Sequence, residues 1–164
     1  MKEGHLPNTG TLTIELHRLL TMFLASKPLA DLRTMYPGEG HDPIYRIQEV
    51  EEDELTRLLL TLAITARVVD DREGRLFDLI GLACGSLQAD VSRPGTIELG
   101  LRDACNKIIH ARKIRIELAE SEKTQPYWLP WINLYGQSKP ATEWHARLDV
   151  VEFAKAYMLL VMEF

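Results

Sequence analysis

The sequence predicts an α+β fold: a helical N-terminal part, a central amphipathic helix, a small three-stranded antiparallel sheet and an apolar C-terminal helix. Two observations carry this. Apolar residues recur at helical spacing up to His110, and beyond Arg112 the period drops to the two residues expected of half-buried strands. A third supports it, because helical spacing returns after Asp149 and runs to the end of the sequence.

The elements follow in order. From Thr11 to Ser26, Leu12, Ile14, Leu16, Leu19, Leu20, Phe23 and Leu24 recur at mostly helical spacing, giving a helix with one apolar side that is expected to stop before Pro28. Tyr36 to Pro43 holds two glycines and two prolines and reads as a loop. Glu51 to Val69 is a helix whose opening acids, Glu51 to Glu54, sit where the helix dipole favours negative charge. Leu76 to Leu87 is apolar but interrupted by Gly81 and Gly85, and a short buried helix and a strand both fit it. Ser92 to Thr96 is a turn, with Thr96 expected to cap a helix from Ile97 to His110.

After that helix, Ile114, Ile116 and Leu118 alternate with Lys113, Arg115 and Glu117. Trp131 to Tyr135 is rich in β-favouring residues, and Trp144, Ala146 and Leu148 alternate with His145, Arg147 and Asp149, which gives the three strands. Asp149 then caps a helix from Val150 to Met162 with little polar surface, so part of its burial is expected from a second copy in a homodimer.

Composition bounds the function. The 164 residues suit one domain able to bury roughly two-thirds of its unfolded surface. Apolar residues at 46% and charged residues at 26% exclude collagen-like and strongly disordered classes. The longest apolar run is broken by Thr61, Thr65 and Arg67, and the start of the chain lacks the pattern of a secretory signal, so a cytoplasmic, non-membrane protein is expected. Two cysteines without a Cys-x-x-Cys pair suggest neither a disulfide framework nor a thiolate zinc site, and no cofactor is implied. A net charge of −5 exerts no global pull on phosphate, so any nucleic-acid role must rest on a local patch.

The central helix supplies the sharpest candidate. At about 100° per residue, with Arg102 at zero, Asn106 lies near 40°, His110 near 80°, Asp103 near 100° and Lys107 near 140°. Leu101, Ala104, Cys105, Ile108 and Ile109 take the opposite arc. Arg102, Asn106 and His110 could serve metal-independent phosphoryl chemistry. His110 would move the proton, Arg102 would stabilise the phosphate, and Asn106 would position one or the other. Equally, these residues and Lys107 could form an ordinary solvated face, with Asp103 and Lys107 as an i,i+4 ion pair.

The segment Leu101-Arg102-Asp103-Ala104-Cys105-Asn106-Lys107-Ile108-Ile109-His110 resembles the motif of HEPN proteins, an Arg followed by a polar residue and then a His on the same helix. The interval between Arg102 and His110 is longer than in that family. The resemblance implies a helical domain acting as a metal-independent ribonuclease of a toxin–antitoxin or defence system, with Arg102, Asn106 and His110 as its catalytic residues.

The strand cations Lys113, Arg115 and Arg147, with His145, could share one sheet face and bind RNA together with Lys107, with Trp131 and Trp144 near by; the alternation sends Trp144 to the core side, so the aromatic platform reads as packed core. The Gly38 to Asp42 loop reads as a turn, lacking a His or Cys cluster at ligand spacing. Two functional classes follow: a non-catalytic binding or interaction domain with a protein or RNA partner, and a HEPN-like endoribonuclease.

Overall fold

The computed structural model describes residues 8–33, 42–74, 76–121, 124–138 and 140–163. In chain order it forms α1 (Thr9–Leu32), α2 (Pro43–Gln48), α3 (Glu51–Arg72), α4 (Leu76–Leu79), β1 (Ala83–Gln88), β2 (Ile97–Gly100) and α5 (Leu101–His110). It continues with β3 (Lys113–Ser121), β4 (Thr124–Ser138), β5 (Thr142–Asp149), α6 (Val150–Tyr157) and a closing π-helical turn, Met158–Met162.

The expected class holds, but the sheet has five strands rather than three. Its order is β2-β1-β5-β4-β3, and every pairing is antiparallel. The two additional strands come from segments whose local pattern is weak. In β1, Gly85 lets the backbone run against β5: its φ is +152°, and a Cβ there would lie 2.0 Å from the Arg147 carbonyl oxygen. β2 occupies the residues expected to open the central helix, because Glu98 and Ile97 pair with Ser86 and Leu87. The helix therefore begins at Leu101, with Gly100 and not Thr96 at its N-cap. Leu76 to Leu87 thus resolves into both readings, the short α4 and then the strand β1.

α1 also departs from expectation by continuing through Pro28 to Leu32. Pro28 deprives the Leu24 carbonyl of its helical donor, but Leu24 faces solvent, where water can replace that donor. The far half of α1 is held from outside, since the Trp128 backbone N–H donates to Ser26 Oγ at 2.8 Å and Phe23 packs against the Trp128 ring. Tertiary contact here outweighs the proline.

The core lies on one side of the sheet. Ile132, Leu134, Trp144, Ala146, Leu148 and Leu87 point inward and are buried with residues of α1, α3, α5 and α6. α1, α5 and α6 contact the strands, and α3 packs on α1 and α5. Asp149 caps α6 through its carboxylate, as expected, and Phe153, Ala154 and Tyr157 are buried within the same chain, while Met158 and Leu159 remain exposed. No helix among the described residues is long and apolar enough to cross a membrane.

β4 is long because it serves two partners in turn. Ile132 to Tyr135 pair with both β3 and β5, its last residues pair with β5, and its first part pairs with β3 alone. Pro126 and Pro130 fall in that first part, where no strand on the β5 side requires their missing N–H groups.

Candidate functional site

On α5 the polar arc exists, yet its members go to different places. Arg102 turns toward α3 and α4, where its guanidinium hydrogen-bonds Asp70 and Asp71 and approaches Asp78. Asp70 is fully buried and also accepts the Phe77 backbone N–H at 2.9 Å. Burial opposes the charge on Arg102, but its hydrogen bonds to Asp70 and Asp71 outweigh that and raise its pKa. Arg102 thus neutralises a buried carboxylate and joins three segments, and a phosphate arriving there would meet three acids.

His110 is exposed on the last turn of α5, about 12 Å along the helix axis from Arg102 at 1.5 Å per residue. Asn106 lies half-buried between them. Within one chain the three residues are not gathered into a cleft. Lys107 places its ammonium 4.3 Å from the centroid of the Trp144 ring, and burial lowers its pKa. It therefore stands on the core side, apart from the strand cations.

Those strand cations do come together. Lys113 is level with Tyr135 and His145 across β3, β4 and β5, and Arg115 is level with Asn133 and Arg147. The outward residues of these strands all retain exposure, whereas their inward neighbours Ile132, Leu134, Trp144 and Ala146 are buried. Among the described residues this outer face has no covering layer.

The outer face is also ordered. Arg147 grips Glu117 through Nε at 2.6 Å and Nη2 at 2.9 Å, and its guanidinium lies 3.7 Å from the centroid of Trp131. Asn133 Nδ2 donates to Glu117 Oε1 at 3.0 Å, which leaves Asn133 Oδ1 to accept. His145 Nε2 lies 2.6 Å from that oxygen, so it carries the proton and donates. The His145 ring stacks on Tyr135 with centroids 4.7 Å apart and planes 14° apart. The hydrogen bond from Arg147 holds the Glu117 pKa down, and burial lowers that of His145.

Beside this network opens a cleft of about 340 Å³ lined by Arg112, Lys113, Arg115, Tyr135, Gln137 and Glu143. Trp144 closes its inner end, and the ring lies so near the Gly136 backbone that a Cβ there would meet it at 2.1 Å. The outer face can thus offer flat rings for stacking, cations for phosphate and fixed polar groups for base edges.

Sequence reasoning sets Trp131 near these cations but takes the aromatic platform for packed core, and it misses Tyr135 as a member of this face. The signal was present, because Trp131, Asn133 and Tyr135 alternate with the inward Ile132 and Leu134. Of the Gly38 to Asp42 loop, all but Asp42 lies outside the described residues, and Asp42 caps α2.

No protein-family model matches the chain, and no curated protein or solved structure is significantly similar to it.

Proposed function

We propose that this chain is a non-catalytic binding protein whose ligand is single-stranded RNA, held on the outer face of the sheet. The observation that carries the reading is the Tyr135–His145 stack, fixed by Asn133 and Glu117, beside the cleft that presents Lys113 and Arg115. A base laid on Tyr135 or Trp131 gains stacking energy without needing a particular sequence. Lys113 and Arg115, both exposed, lie where the attached phosphates would pass. The overall charge of −5 does not oppose this, because the cleft concentrates Arg112, Lys113 and Arg115 against the single acid Glu143.

Fluorescence anisotropy with a labelled single-stranded RNA tests it. The wild type binds, and the affinity falls as salt rises. Tyr135→Ala and Trp131→Ala each weaken binding about tenfold, since a stacked base contributes on the order of 1 to 3 kcal/mol. Unchanged binding by both variants would remove the sheet face from the account.

A further inference from the structure

β3 is an outer strand of the sheet, with β4 on one side and, among the described residues, no strand on the other. At nine residues it is the longer of the two sheet edges, since β2 has four. An open edge of this length is a template for another strand unless something blunts it. β3 contains no proline, although its pairing with β4 shifts register between Ile116 and Leu118, and its charges are ordered in a particular way: Lys113 and Arg115 at its start, with Arg112 just before it, and Glu117 and Glu120 toward its end.

That order is self-complementary. When two copies of β3 run antiparallel about a two-fold axis through Ile116, residue 115 faces residue 117 of the other copy, 114 faces 118, and 112 faces 120. Arg115 then approaches the Glu117 carboxylate that Arg147 already holds, Arg112, just before the strand and bonded to Gln137, lies opposite Glu120, Ile114 meets Leu118, and Ile116 meets itself. By symmetry each contact occurs twice apart from the central one. Neighbouring registers lose this. Centring on Arg115 or Glu117 sets like charges opposite each other, and centring on Ile114 sets Lys113 against Arg115.

The apolar side agrees with the charges. Leu118 is 47% exposed although it lies on the inward-facing side of its strand, with Ile114 and Ile116 half-buried beside it. Next to these three a cleft of about 290 Å³ opens between β3 and the start of α3, lined also by Leu55 and Trp128. In the register centred on Ile116, the partner copy's Leu118 reaches this cleft over Ile114.

We infer that the chain forms a homodimer in which two β3 edges pair antiparallel about Ile116, joining two five-stranded sheets into one continuous sheet. Such an interface is isologous and closes on itself, so it ends at two copies. It would also place the two outer faces side by side.

Sedimentation of the wild type at micromolar concentration tests the state: a mass of twice 18.7 kDa is expected, and a monomer overturns the inference. Arg115→Glu, which sets like charges opposite each other twice, weakens dimerisation about tenfold or more. The register is tested by Ile116→Cys with a short thiol cross-linker, the native Cys84 and Cys105 being buried. Ile116→Cys gives a covalent dimer, whereas Glu120→Cys, whose two copies would stand far apart, does not. Cross-linking of both or of neither overturns the register. None of these measurements involves RNA, so their failure leaves the ligand question untouched.

Discussion

His145 donates its Nε2 proton to Asn133 Oδ1 across 2.6 Å, and it can do so only because the Asn133 amide nitrogen is already committed to Glu117. One carboxylate thereby fixes an amide, the amide fixes an imidazole tautomer, and the imidazole stacks on Tyr135. These contacts hold the outer-face side chains in one arrangement, which on the proposed reading lowers the ordering cost of binding.

The same relationship sets a pH response. Burial lowers the folded-state pKa of His145 below its ordinary 6.5, so below that pH the unfolded chain takes up the proton first. Stability is therefore expected to fall as pH drops from about 6.5 through the folded pKa of His145 and then to level off until carboxylates titrate. Histidine NMR titration against pH gives the folded value directly. A His145 pKa at or above 6.5 would show that the ring is not held neutral by this environment.

Glu117 titrates lower. Its hydrogen bond with Arg147 depresses the folded pKa below 4.5, so its contribution is present above that pH and is lost as pH falls through the folded value. Glu117→Gln removes the charge and loosens both Arg147 and Asn133. The pair is partly solvent-screened, so a loss of about 1 kcal/mol is expected in urea denaturation at neutral pH, with RNA affinity falling alongside. A variant as stable as the wild type at both neutral and acid pH would mean that the network does not hold the face in place.

Arg102 predicts a larger effect of a different kind. Arg102→Met leaves Asp70 buried without its cation, which costs on the order of 3 to 5 kcal/mol of stability. Replacing Asp70 by Asn together with Arg102→Met should recover part of this. Urea denaturation of the single and double variants checks it. An Arg102→Met variant of wild-type stability that fails to process RNA would instead return Arg102 to a catalytic role.

Gly136 tests the packing beneath the cleft. A methyl group there would press on the Trp144 ring, which is 2% exposed and has Lys107 on its face. Gly136→Ala is expected to destabilise by roughly 1 to 3 kcal/mol, as overpacked cores do, and to change the tryptophan fluorescence. Unaltered fluorescence and stability would show that the ring can move aside freely.

Much of the fold was legible because it rests on local periodicity. The acids opening α3, the alternation in β3 and β5 and the Asp149 cap all act within a few residues. What was not legible depends on partners distant in sequence. β2 is a strand because of Ser86 and Leu87, and α1 passes Pro28 because Trp128 holds its far half. The candidate site divides the same way. Alternation alone placed Lys113, Arg115, His145 and Arg147 on one face, whereas the pairing of Arg102 with Asp70, 32 positions earlier, leaves no local trace. A helical wheel shows which side a residue takes and not which carboxylate waits there.

The central claim is the location of the ligand, and backbone NMR during titration with a single-stranded RNA tests it most directly. The account predicts that shifts concentrate at Lys113, Arg115, Trp131, Tyr135, His145 and Arg147, with α5 unmoved and the RNA intact in EDTA. Shifts confined to Arg102, Asn106 and His110, accompanied by cleavage of the RNA, would contradict it.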